Sequence, residues 1–208
     1  MIKTVIFDFD GTIADTFITI VKLFNNRAKE FGIEKLDLSE VENLRNLGIK
    51  AIFKKFGIHI LKLPRISKII RNDLKAKTSS INIFPQIKYI LLKLKQKKFK
   101  LGILSSNSKE NIEKFLKVNR LNIFDFIQSE KNLFGKGKAL TALLKKYNLK
   151  ENEIIYIGDE VRDIDACREN GIKIISVTWG FNKKEILQLN NPDYLVNRPQ
   201  EILKVLSI

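Results

Sequence analysis

The 208-residue sequence holds a single cysteine, Cys167, and a single histidine, His59. One cysteine forms no intrachain disulfide, and one histidine excludes hydrolases that need a second, along with most zinc sites. Proline and glycine are sparse, at 4 and 10 residues, so collagen-like and linker-rich architectures do not fit. No apolar run approaches the roughly 18 to 20 residues that a membrane span needs. Met1 to Asp10 is a short apolar run ending in two acids, which is not the pattern of a signal peptide. The expected location is therefore the cytoplasm, with no membrane partner. With these absences, the chemistry has to run on carboxylates, hydroxyls, lysines and a hard metal ion.

Acids are the scarcer charge, 23 against 38 bases, giving a formal net charge of +15. The excess comes from 30 lysines and only 8 arginines, spread along the chain. Proteins that read bases rely on arginine and interleaved aromatics, and no such cluster is present. The densest run, Lys93 to Lys100, ends a helical pattern and leads into a strand, where solvated lysine is common. No nucleic-acid partner is expected. With 44% hydrophobic and 29% charged residues, the chain has the composition of an ordinary globular protein.

Strand and helix signals alternate. Buried strands are expected at Lys3–Phe7, Lys100–Leu104, Phe124–Gln128, Glu153–Ile157 and Lys173–Thr178, from short β-branched runs bounded by turn residues. Helices are expected over Thr16–Phe31, Pro85–Lys97, Lys109–Lys117, Lys138–Tyr147, Glu160–Asn170 and Pro199–Leu206, from apolar residues at helical spacing. Between Leu38 and Lys77 the periodicity stays helical, broken at Gly48, Gly57 and Pro64. Alternation of this kind implies an α/β fold, a Rossmann-like parallel sheet covered on both faces. The helical stretch 15–82 interrupts it as an inserted all-helical module. The expected domains are a core of 1–14 with 83–208 and a cap of 15–82.

Four clusters stand where strands end or helices begin. Asp8-Phe9-Asp10-Gly11-Thr12 follows the first strand, and ligands of open α/β sheets bind beyond such ends. Two acids at i and i+2, beside a glycine that permits a tight turn, repel unless a cation compensates them. Ser105-Ser106-Asn107 follows the second strand; its hydroxyls and turn amides suit an anion, or simply cap the next helix. Lys136, between Gly135 and Gly137, is either an anion anchor or a surface lysine. Gly158-Asp159-Glu160-Val161-Arg162-Asp163 adds two acids at i and i+4, where acids are also expected as helix N-terminal residues.

The order of these clusters, with an all-helical insert after the first, resembles the haloacid dehalogenase-like hydrolase superfamily. Within it, the chain resembles the phosphoglycolate phosphatase-like branch. Phe84-Pro85 and Val177-Thr178-Trp179-Gly180 are softer matches. The resemblance implies strand order 3-2-1-4-5, with Asp8 as nucleophile and Asp10 as general acid/base. It also implies Ser105 as a phosphate-binding hydroxyl, with Ser106 and Asn107 beside it, and Lys136 as the anchoring lysine. Many relatives have Lys-Pro where this chain has Lys136-Gly137, which leaves Lys138 as a fallback. Mg²⁺ is implied as cofactor, held by Asp8, the Asp10 carbonyl and Asp159, with Asp163, Gly11 and Thr12 in support. Arg45 and Lys50, flanking Gly48, are expected to read the substrate. The function implied is a phosphatase of a small phosphorylated metabolite working through an aspartyl-phosphate. A phosphosugar mutase with the same chemistry and a non-enzymatic anion-binding protein are the alternatives. Oligomeric state is open, and a monomer is compatible.

Overall fold

The computed structural model describes residues 1–130, 132 and 134–208, with side chains at 38–40 outside the description. The chain opens with β1 (Thr4–Phe7). Five helices follow: α1 (Phe17–Asn26), α2 (Ala28–Phe31), α3 (Leu38–Leu44), α4 (Ile49–Lys55) and α5 (Leu63–Lys77). After them the alternation is regular. Next come α6 (Ile87–Gln96), β2 (Lys100–Ser105), α7 (Lys109–Val118), β3 (Phe126–Ser129) and α8 (Lys136–Tyr147). The chain ends with β4 (Ile154–Gly158), α9 (Val161–Glu169), β5 (Lys173–Val177), α10 (Lys184–Leu189), β6 (Tyr194–Val196) and α11 (Gln200–Val205).

Among the described residues the six strands pair in parallel, in the order β3-β2-β1-β4-β5-β6. The expected order 3-2-1-4-5 is therefore present, extended by a sixth strand. That strand is three residues long, too short for a period-2 signal. It is registered by Ile175 opposite Tyr194 and by Asp193, which accepts from the Ile174 amide. α10, a six-residue helix, was likewise not anticipated. The helix expected from Pro85 begins at Ile87, because Gln86 sits at φ 66° in the left-handed region. The helix expected from Lys138 begins two residues earlier and takes Lys136 into its first turn.

Successive strand residues face opposite sides of the sheet, and the two faces are covered by different helices. Val5, Phe7, Leu101, Ile103, Ile155 and Ile157 are buried on the face that meets α6, α7 and α11. Ile6, Leu104, Ile154, Tyr156 and Ile174 are buried on the face that meets α8 and α9. Each fully buried aliphatic side chain contributes roughly 1.5–3 kcal/mol of transfer free energy. In α5, the spacing of Leu63, Ile66, Ile70 and Leu74 makes one apolar stripe. That stripe joins Leu23 and Phe31 in the same cluster as the first sheet face.

The entry and exit of the helical insert lie side by side. Ala14 bridges Ile83 antiparallel, and the Asp15 amide donates to the Asn82 carbonyl at 2.9 Å.

Gly102 in β2 tolerates no side chain. A Cβ on Gly102 would lie 2.0 Å from the Phe126 ring, which stacks on Tyr147 at 4.4 Å between centroids. Gly102→Ala should therefore destabilise the fold by about 1–3 kcal/mol through overpacking. Adding Phe126→Leu, which withdraws the obstructing ring, should recover part of that loss. Urea denaturation of the single and double variants measures both.

Candidate active site

The site is built where strands of the sheet end. Because Ile6 and Asp8 lie on the same side of the chain, Asp8 leaves β1 toward α8. Its Oδ2 accepts from Lys136 Nζ at 2.8 Å, and its Oδ1 from the Phe9 amide at 2.7 Å. Phe9 points the opposite way and packs edge-on against Phe115, with centroids 5.0 Å apart. The chain then turns sharply, with the Gly11 amide donating to the Ala14 carbonyl at 2.9 Å. Gly11 takes φ +83°, and a Cβ there would stand 2.2 Å from Asp159 Oδ2. Only glycine meets both demands.

Asp10 is buried, and its Oδ1 accepts from Asn107 Nδ2 at 3.2 Å. Asn107 is itself fixed: its Oδ1 accepts from the Ser108 amide and from Asn111 Nδ2, and its carbonyl from Ser129 Oγ. Its amide donates to Ser105 Oγ at 3.1 Å. Ser105 is buried and Ser106 is half-buried beside it. Burial, reinforced by the Asp8 charge, raises the Asp10 pKa from 3.8 to about 7; Asn107 and Arg162 only partly offset this.

Lys136 is enclosed. Its ammonium contacts Asp8 and Asp163 and lies 5.6 Å from the centre of the Tyr156 ring. Burial alone would discharge it, but the Asp163 and Asp8 charges hold its pKa above the ordinary lysine value. Asp163 divides its oxygens: Oδ1 faces Lys136, and Oδ2 accepts from the amides of Asp159 and Glu160. It thereby completes a capping box with Glu160 at the start of α9. Asp159 is fully buried, its Oδ1 accepting from Thr12 Oγ1 at 2.6 Å and its Oδ2 from the Phe181 amide at 2.7 Å. Burial and the Glu160, Asp8 and Asp163 charges push its pKa well up. Among the described residues, Asp8, Glu160 and Asp163 offer carboxylate oxygens mutually within 4.8 Å. An all-oxygen, anionic, crowded donor set of this kind fits a hard divalent cation such as Mg²⁺.

The structure thus brings Asp8, Asp10, Gly11, Thr12, Ser105, Asn107, Lys136, Asp159 and Asp163 into one constellation. Lys138 is exposed and outside it. Ser106, Asp10 and Arg45 line one cavity between the helical insert and the sheet, but Lys50 does not. Lys50 is exposed, with its ammonium 5.3 Å from the centre of the Phe134 ring, along a separate crevice. Arg45 Nη2 donates to the Gly180 carbonyl at 2.6 Å and Nη1 to Glu42. Asn182 answers by donating to the Arg45 and Leu47 carbonyls. Residues 180–182 therefore tie the insert to the segment that also holds Asp159. His59 is exposed and only caps a turn, accepting from the Leu61 amide.

Sequence reasoning gave no role to four of the residues found here. Glu160 and Arg162 lie inside a motif it singled out but read as helix start and spacer. Arg162 Nε donates to Glu160 at 2.7 Å and Nη2 to Ser106 Oγ at 3.4 Å. Arg71 of α5 and Phe181 carry no local signal at all; only the tertiary fold brings them in.

The chain matches the family model of the haloacid dehalogenase-like hydrolases over residues 5–177. It belongs to that family. A phosphoglycolate phosphatase of Synechococcus elongatus is 32% identical over 99% of this chain and 97% of its own length. A pyrophosphatase of Bacillus mycoides is 23% identical over 99% and 97%. The solved structure of a haloacid dehalogenase-like family hydrolase from Streptococcus pneumoniae superposes with a TM-score of 0.82 at 27% identity, covering 99% and 98%. No helix among the described residues is long and apolar enough to cross a membrane.

Two measurements follow from the electrostatics. The folded chain holds the Asp10 proton more tightly than the unfolded chain, so that contribution to stability is complete below pH 3.8 and is lost as pH rises through about 7. In chelator, the melting temperature of the parent should fall relative to Asp10→Asn over that interval and run parallel to it above. Lys136→Met leaves Asp8 and Asp163 buried without their cation and should cost about 3–5 kcal/mol at neutral pH. Denaturant titration should show part of that loss recovered when Asp163→Asn is added.

Proposed function

We propose that this haloacid dehalogenase-like hydrolase, an enzyme by its family, is a cytoplasmic, Mg²⁺-dependent phosphatase of a small phosphorylated metabolite, of the phosphoglycolate phosphatase type, acting through an aspartyl-phosphate. Residues 1–14 and 83–208 form its catalytic core in this reading, and 15–82 its cap. The observation that carries the proposal is the pair at the end of β1. Asp8 is a buried carboxylate braced by Lys136, and two residues on Asp10 holds a proton near neutrality.

In the first step an Asp8 oxygen attacks phosphorus as the ester P–O bond breaks, and the Asp10 proton passes to the departing oxygen. In the second, the Asp10 carboxylate takes a proton from water, whose oxygen attacks phosphorus; the bond to Asp8 breaks and inorganic phosphate leaves. A pKa near 7 suits a group that must give and then take a proton at neutral pH. Lys136, Ser105, Ser106 and Asn107 surround the phosphoryl oxygens, and positioning with electrostatics dominates such transfers. Asp8, the Asp10 carbonyl and Asp159 would hold Mg²⁺, with Glu160 and Asp163 close by. The bound cation supplies neutralisation of charge on the transferring phosphoryl group. The Synechococcus relative supports the phosphoglycolate-type reading through its identity over nearly the whole chain.

Phosphate release from a panel of phosphomonoesters, with and without Mg²⁺, tests this. Asp8→Asn should lower release by ~1000-fold or more while circular dichroism and melting stay close to the parent. Removing the cation with a chelator should stop release, and restoring Mg²⁺ should bring it back. Turnover retained by Asp8→Asn would exclude the covalent route.

A further inference from the structure

A single peptide group stands between the helical insert and the acids that precede α9. Its carbonyl, that of Gly180, accepts from Arg45 Nη2 at 2.6 Å. Its amide, that of Phe181, donates to Asp159 Oδ2 at 2.7 Å. A peptide unit is planar, so a constraint at its carbonyl end is also a constraint at its amide end. A guanidinium charge at the carbonyl polarises the unit and strengthens the bond that its amide gives. The approach is close: a Cβ on Gly180 would stand 2.2 Å from Asp159 Oδ2. With Thr12 Oγ1 on the other oxygen, the Phe181 amide fixes the Asp159 carboxylate from two sides. Each carboxylate oxygen keeps a lone pair for a cation.

Neighbouring contacts run the same way. The Asn182 amide donates to the Asp159 carbonyl at 3.2 Å, and Asn182 Oδ1 accepts from the Val161 amide at 2.9 Å. Asn182 Nδ2 and the Lys183 amide donate to the Arg45 carbonyl, at 3.2 and 3.0 Å. The Arg45 guanidinium lies 5.3 Å from the centre of the Phe17 ring, which meets Phe181 edge-on at 5.2 Å. Residues 180–183 thus grip residues 45–47 of the insert on one side and 159–161 of the core on the other. Arg45 commits its guanidinium to Gly180, Phe181 and Glu42, which gives it a role besides contact with substrate.

We propose that Arg45 is a positioning residue that acts through the Gly180–Phe181 peptide on Asp159, and that docking of the insert and binding of the divalent cation are thereby linked. Such linkage is reciprocal: docking tightens cation binding by the same factor as the cation tightens docking. The assignment rests on the reading above, in which Asp159 holds Mg²⁺.

Calorimetric titration of the full chain with Mg²⁺, without substrate, tests the link from one end. Arg45→Gln should weaken cation binding about tenfold, as losing a group that orients a metal ligand does. Arg45→Lys, which restores a charge but not the planar fork, should recover part of that loss. Arg27→Gln, which breaks an ion pair with Asp73 inside the insert, should leave the affinity unchanged. Hydrogen exchange tests the other end, at the Lys183 amide bonded across to the Arg45 carbonyl. Saturating Mg²⁺ should slow that exchange about tenfold in the parent and much less in Arg45→Gln. Parent-like affinity in Arg45→Gln would overturn the proposal while leaving the phosphatase reading intact. An equal loss in Arg27→Gln, or exchange in the parent that Mg²⁺ does not alter, would do the same. A parent that binds no Mg²⁺ would overturn both.

Discussion

The ammonium of Lys136 is the fixed charge about which the site is arranged. It stands between Asp8 at the end of β1 and Asp163 in the first turn of α9, and it is itself the first residue of α8. Three elements are thus pinned by one cation excluded from water. Removing four buried acids from solvent within a few ångströms of each other is costly. One lysine cannot neutralise Asp8, Asp159, Glu160 and Asp163 together. Burial first, and that imbalance second, raise the pKa of Asp10 and Asp159. Arg162, paired with Glu160, offsets a second unit of it. What is left over is the negative potential that a divalent cation would answer.

The core of this arrangement was legible because it is local. Asp8, Asp10 and Gly11 lie within four residues, at a strand end, and Gly158 to Asp163 spans a strand end and a helix start. Their chemistry follows from spacing that the backbone converts directly into position. The sheet was legible for a similar reason: the central strands are buried on both faces and read as continuous apolar runs. β6 escaped because three residues, two half-buried and one buried, carry no period, and it owes its place to pairing with β5.

Side chains contributed by the insert were another matter. Arg45 and Lys50 flank the same glycine, yet Arg45 turns to the core while Lys50 lies over Phe134 in another crevice. Arg71 sits among the apolar stripe residues of α5, and nothing in its neighbourhood distinguishes it from Arg65 or Lys68. Which face of such a helix meets a pocket depends on a packing angle, and that is set by contacts distant in sequence. A charge that looks like solvated surface along the chain becomes a site residue only when another element approaches it.

The juxtaposed ends of the helical insert have a thermodynamic consequence of their own. Ala14 and Ile83 are already bridged, so the intervening segment is a loop whose ends are fixed together. The entropy of closing a loop grows with the logarithm of its length, about 0.6 kcal/mol for each doubling. The entropic cost of threading more chain through that gap is thus small, provided the two ends meet. The length of the insert is therefore constrained less by the entropy of closing the loop than by the contacts its helices make with the core, such as Arg45 with Gly180 and Arg71 with Ser106.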